Sequence, residues 1–381
     1  MATSYSPSIV RSNLIMYYDM NNTQKSWLGA PTTNYYKYSA TFDDFQYSNR
    51  TIITDYLPDG TYSSCIINTF DQLSGARFFI DFTANSNGLY TCSYWAKLVS
   101  GSTIVNTTLN VKDFQTDVVR GTSGTITLTS SWQRISATGT TAGATAGLRF
   151  EINVNTSGAT AKIQIYGGQV EQLSFASPLV PTSGAIASRS TTQSIVDLTG
   201  NNTITATQLT YAANNTFSFN GGTDSAYIGN TMQIPNNSFT VSAWVNSSAV
   251  SGAQNILSMN GPYFMRITGS TVRFNVLAGG AWLFQQGTTV LSNNTWYYLT
   301  MVYDYAASTW TGYINNVLEF SVAKSGTLGV TSFYGYIGYT PQGGEQAAFN
   351  GTIGTIQVYN RALSANEVTQ NFNALRGRYR I

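Results

Sequence analysis

Five glutamates stand among the 17 acidic residues of this chain: Glu151, Glu171, Glu319, Glu345 and Glu367. Glycoside hydrolysis needs a carboxylate pair flanking the scissile bond, roughly 5 to 9 Å apart. Glu367 follows Ser364 by three residues, the S-x-x-E spacing of a helix capping box, and is used there. Glu319 falls within a hairpin strand. Asp43 and Asp44 are adjacent, and neighbours on a strand face opposite ways. The chain has no histidine. Ser-His-Asp and Cys-His catalysis, His-ligated zinc and the ordinary pH switch are therefore excluded. No catalytic residues are expected, and the chain is not expected to be an enzyme.

Sugar binding asks for something else: aromatic rings that stack on CH faces, helped by Asn, Asp and Tyr hydrogen bonds. Aromatics make up 13% of the chain, so position must discriminate. Rings in Gly-flanked loops are favoured over those in alternating strands. Trp282 follows Gly279-Gly280-Ala281, and Tyr263 follows Asn260-Gly261-Pro262. These two are the candidate carbohydrate-binding residues, with an edge-packing or subunit-contact role as the alternative for Trp282. Trp95 and Trp244 sit inside alternating strands and read as packing residues. Cys65 and Cys92 are too few for a disulfide framework and read as small buried hydrophobes.

The elements that position these residues are strands. Leu148, Phe150, Ile152 and Val154 alternate with Arg149, Glu151 and Asn153, giving one dry and one wet face. Phe239, Val241, Ala243 and Val245 alternate in the same way with Thr240, Ser242 and Trp244. Thr309 to Ser321 reads as a hairpin, with Asn315-Asn316 at its turn. One helix is expected, opened by Ser364 and Glu367, carrying Val368, Phe372 and Leu375 on one face, and stopped by Gly377. The fold class is all-β, two sandwich-like domains with one short C-terminal helix; the jelly-roll form of the sandwiches is what the family resemblance given below implies. Pro178, Pro181 and the Ser-Gly-Ala stretch mark a boundary between them, and no Lys or Arg occurs from 190 to 265.

Charged residues are only 9% of the chain, against about 25% in an average soluble protein. Net charge is +2 with no basic run, so nucleic acid is not an expected partner. No apolar stretch approaches the roughly 20 residues of a membrane span, and the N-terminus lacks the pattern of a signal peptide. With 25 Tyr and few charges, wide faces suit contact with further copies of the same chain.

Four stretches resemble a laminin-G-like, concanavalin A-like jelly roll. They are Val196 to Asn202, Phe217 to Asp224 leading into Tyr227-Ile228, Phe239 to Val245, and the tail from Phe349 through Tyr359-Asn360-Arg361-Ala362-Leu363-Ser364 to Tyr379. Tyr90 to Lys97, Trp132 to Ala137 and Gly168 to Ala176 resemble a carbohydrate-binding-module-like β-sandwich. The expected domains are 36–182 for the module-like sandwich and 183–381 for the jelly roll. Residues 1–35 either supply the jelly roll's first strand, at Asn13 to Asp19, with 36–182 inserted, or form a separate anchoring arm. The resemblance also admits structural Ca²⁺, at Asp224 in the jelly roll or at Asp43 or Asp44 in the module. The residues around Asp224 favour an Asx-turn instead. No cofactor is otherwise expected, and none of the acids makes the E-x-D-x-E spacing of the related hydrolases.

Pairing these two modules resembles the accessory proteins of tailed-phage virions. The implied function is non-enzymatic: capsid decoration or a head fibre with lectin-like domains that adhere to glycans. A tail fibre and a bacterial adhesin are the alternatives. The implied partners are the chain itself, as a homo-oligomer with a trimer as the order the resemblance implies, other virion proteins of capsid or tail, and cell-surface polysaccharide. The implied location is the virion, with synthesis in the host bacterial cytoplasm.

Overall fold

The structure, a computed structural model, describes residues 8–40, 42, 50–70, 76–83, 88–101, 105–113, 115–141, 147–155, 160–212, 216–229, 234, 237–258, 263–329, 334–340 and 347–381. Asp43, Asp44 and Glu345 lie outside them. The described residues form two compact units, one of 30–190 and one of 8–29, 191–212 and 216–381.

In the 30–190 unit two antiparallel sheets share a core. One sheet runs Gln133–Thr140, Leu89–Gly101, Ala161–Glu171, Tyr62–Phe70, Arg50–Tyr56. The other runs Ala76–Thr83, Gly147–Asn155, Asn106–Asp113, Val119–Thr122. Leu148, Phe150, Ile152 and Val154 face the core, as their period demands. Glu151, expected on a wet face, is buried instead. The Lys112 amine reaches it at 2.9 Å, and that partner makes the buried charge tolerable. Cys65 and Cys92 are buried and unpaired. Burial pushes the Cys65 thiol up to about 11 and raises Cys92 as well, so neither is a ready nucleophile.

The unit boundaries expected at 35/36 and 182/183 fall at 29/30 and 190/191. The reason is local: Thr32–Asn34 pairs antiparallel with Ala187–Arg189. The Asn34 amide donates to the carbonyls of Gly168 and Val180, and the Arg189 guanidinium donates to that of Ala30 at 2.9 Å.

The larger unit stacks two eight-stranded sheets on one core. The first runs Thr210–Ala212, Thr216–Asn220, Asn350–Tyr359, Phe239–Ser247, Trp296–Asp304, Thr309–Ile314, Val317–Ala323. Leu14–Asp19 also pairs in this sheet, antiparallel to Asn350–Tyr359. The second runs Ile195–Val196, Thr203–Gln208, Ser225–Gly229, Gly335–Ile337, Ala253–Ser258, Tyr263–Thr268, Thr271–Ala278, Ala281–Gln286. The Asp197 carboxylate ties the segment after Val196 to the N-terminal strand. It accepts from the backbone of Tyr17, Thr199 and Asn202 and from the Thr199 hydroxyl. Asn315 and Asn316 take positive φ of 48° and 66°, closing the Thr309–Ala323 hairpin in the manner its sequence predicts.

Phe239, Val241, Ala243 and Val245 enter the core between the sheets. Their alternates are not wet. Thr240, Ser242 and Trp244 are buried too, because the helix Ala365–Tyr379 covers that outer face. The Trp244 ring stacks on Tyr379 at 4.3 Å and on Phe372 at 5.7 Å. Both halves of the capping box form. The helix passes Gly377, the expected stop, and ends at Arg380, whose φ of 58° is left-handed. The extra turn carries Tyr379 onto the sheet, a burial worth more than the local preference of glycine for a helix end.

Candidate functional site

The second sheet of the larger unit ends in the strand Ala281–Gln286, which follows the tight Gly279-Gly280 turn. Trp282, expected in a loop, lies on this edge strand. The strand period sends Leu283 towards the core and turns Trp282 and Phe284 outward. Trp282 is 43% exposed and Phe284 58%. Neither ring hangs free. Trp282 packs against Phe264 with centroids 5.3 Å apart, and the Arg273 guanidinium lies 4.2 Å from the Phe284 ring centre. Such contacts hold a ring in place while leaving a face to solvent.

Beside these rings lies an open depression of about 290 Å³. Its walls include Trp282, Phe284 and Gln285 of one edge strand and Val322 and Lys324 of the other sheet's edge. Glu319, on that second edge strand, is held by hydrogen bonds from Thr288 and Thr289. Burial raises its pKa, but donors from Thr289 and Thr288 outweigh this and lower it. The other described glutamates are engaged likewise. Glu151 meets Lys112, Glu171 accepts from Ser177 and Gln169, and Glu367 caps the helix.

Tyr263 does not join this site. It opens the strand Tyr263–Thr268, is 1% exposed, and stacks on Phe239 at 4.3 Å inside the core. The Gly-Pro before it suggested a loop, but the strand period turns the ring inward. Asp224 is buried, and its carboxylate accepts from the Thr210 hydroxyl at 2.9 Å and the Asn220 backbone at 3.2 Å. These bonds reach back across the Asn220–Asp224 turn rather than forward to the backbone two residues on, as an Asx-turn would. Among the described residues no group of three or more His, Cys, Asp or Glu side chains gathers as a metal site. Trp244 is fully buried and Trp95 partly so.

Phe284 was missed from sequence, although the period-two step from Trp282 within Ala-Trp-Leu-Phe-Gln-Gln was there to be read. In the 30–190 unit another aromatic group was missed. Tyr56 and Tyr62 face each other across a hairpin, 5.2 Å apart and exposed, and the Trp132 indole donates to the Tyr56 carbonyl. The symmetric Tyr-Leu-Pro-Asp-Gly-Thr-Tyr run is its sequence signal.

No helix among the described residues is long and apolar enough to cross a membrane. No curated protein matches the chain. Solved structures similar to it include the binding domain of botulinum neurotoxin serotype D (16% identity, TM-score 0.38, covering 47% of this chain and 49% of that one). Others are the binding domain of Paraclostridial Mosquitocidal Protein 1 (16%, 0.36, 47% and 49%) and that of botulinum neurotoxin DC in complex with SialylT (13%, 0.38, 48% and 49%). The chain thus spans about half the length of the structures it matches. Residues 220–369 match the family model described as the Concanavalin A-like lectin/glucanases superfamily. With its strand-built architecture and that match, the larger unit has a concanavalin A-like β-sandwich fold.

Proposed function

We propose that this chain is a non-enzymatic, glycan-adhesive protein of a tailed-phage virion, serving as a capsid decoration or head fibre. The observation that carries the adhesive part is the pair of outward rings, Trp282 and Phe284, held by Phe264 and Arg273 beside an open depression. A sugar's CH face stacks on such rings. The engagement of Glu151, Glu171, Glu319 and Glu367 in structural contacts supports a binding rather than a hydrolytic role. The virion part rests on the sequence resemblance and on the charge-poor composition. Exposed Val317 and Leu318 on the neighbouring edge strand support contact between copies. Many copies raise the effective concentration of weak single sites.

The test is retention of the chain on immobilised bacterial envelope polysaccharide. Trp282→Ala is expected to lower retention severalfold while the melting temperature holds. Unchanged retention overturns the adhesive role of this edge. Immunogold labelling of virions tests the location: gold over heads supports decoration, and gold confined to tails or absent from particles overturns it.

A further inference from the structure

A longer pattern crosses the outer face of the same sheet. Following the hydrogen-bonded register from strand to strand, Tyr227 pairs with Tyr336, Tyr336 with Ser258, and Ser258 with Phe264. Phe264 then pairs with Asn275, and Asn275 with Phe284. One residue per strand makes a row perpendicular to the chain direction. All of these residues point away from the core, since their strand neighbours Ile228, Ile337, Met265, Phe274 and Val276 fill it.

From Tyr336 onward the row alternates ring, hydroxyl, ring, amide, ring. Neighbouring strands lie about 4.8 Å apart, so the rings of Tyr336, Phe264 and Phe284 recur at roughly 10 Å. The two polar members are unusual. Asn275 is 2% exposed and Ser258 7%, and among the described residues neither the Asn275 Oδ1 nor the Ser258 Oγ has a hydrogen-bond partner. Buried oxygens are nearly always paired, and leaving one unpaired is costly. Two such oxygens, in one row and each between two rings, point to a ligand that completes them.

We infer that this row is a platform for an unbranched, extended polysaccharide lying across the strands. Two strand spacings are about the length of one disaccharide of a flat, equatorially linked chain. Alternate sugars stack on Tyr336, Phe264 and Phe284. The sugars between them donate hydroxyl hydrogen bonds to Ser258 Oγ and Asn275 Oδ1, once the Asn275 amide turns outward between its flanking rings. Trp282 borders the Phe284 end. This assignment rests on the glycan-binding reading above and names its ligand class.

The experiment is calorimetric titration of the full chain with cello-, chito- and manno-oligosaccharides from disaccharide to hexasaccharide, with α-linked malto-oligosaccharides as the curved control. One flat series is expected to bind with affinity that rises by steps of two sugars. Asn275→Ala is expected to cut that affinity about tenfold, with an unchanged or raised melting temperature because it removes an unpaired buried group. Ser258→Ala should behave in the same direction. Affinity independent of length, a stronger α-linked series, or unchanged binding by both variants overturns the row. If Trp282→Ala still lowers polysaccharide retention severalfold in those cases, glycan adhesion stands and only the row falls. If the unaltered chain neither binds these oligosaccharides nor is retained on envelope polysaccharide, both fall.

Discussion

The two sheets of the larger unit carry similar aromatic alternation on their outer faces and end in opposite states. On the first, Trp244 and Tyr298 lie beneath Phe372 and Tyr379 of the C-terminal helix and see no water. On the second, Phe264, Trp282 and Phe284 stand on an outer face whose edge reaches solvent. The same residue types build a second small core in one place and outward-facing rings in the other. The difference lies outside the strands, in a helix that begins six residues after Tyr359 and lies back over the sheet. A Trp in an alternating strand is therefore assigned by what covers it, not by its neighbours in sequence.

The contrast is broken most severely at Trp244. Trp244→Ala removes the ring on which Phe372 and Tyr379 stack and should cost about 3–5 kcal/mol. Trp282→Ala, on the open face, should stay within about 0.5 kcal/mol. Urea unfolding of both variants measures the gap, and equal losses would mean that both faces are sealed. A smaller effect is expected at Gly354. A Cβ there would sit 2.5 Å from the Tyr379 hydroxyl, so Gly354→Ala should lift the helix end and cost about 1–3 kcal/mol. Increased near-ultraviolet exposure of Trp244 would report the lifting, and an unperturbed spectrum would show that Tyr379 gives way without it.

The smallest effect is a pH dependence of the helix cover. The hydrogen bonds from Arg361 hold the Glu367 carboxyl down to about 2 against the opposing effect of burial, with help from Ser364. A carboxyl lowered by folding stabilises fully above its unfolded value of about 4.3, and the gain is lost as pH falls through about 2. The pair is partly exposed, so the gain should be under about 1 kcal/mol. Melting curves should show the chain ahead of Glu367→Gln at pH 6 and level with it near pH 2. A difference that persists at pH 2 would assign the effect to the neutral cap.

The strands, the Asn315-Asn316 hairpin and the capping box were legible because each depends on residues within a few positions. The burial of Glu151 was not, because Lys112 reaches it from a neighbouring strand. Nor was the length of the helix, since Tyr379 finds its partner in Trp244, more than a hundred positions away. At the candidate site, the Gly-Gly turn before Trp282 was legible but not the edge strand that carries the ring, and Tyr263 was misplaced because a turn signal names the turn but not the face that follows. The Tyr336-to-Phe284 row depends on register across five strands, which no local pattern encodes.

Order of synthesis follows from the pairing of Leu14–Asp19 with Asn350–Tyr359. The Tyr18 hydroxyl donates to the carbonyl of Ile353, 335 positions further along. At ribosomal rates of 5–20 residues per second, that strand waits roughly 15–70 s for its partner. Among the described residues the 30–190 unit is contiguous, and its strands are made long before then. It is free to fold first, while the earliest strand of its neighbour stays unpaired. During that interval the apolar Leu14-Ile15-Met16 edge is left without the strand that covers it.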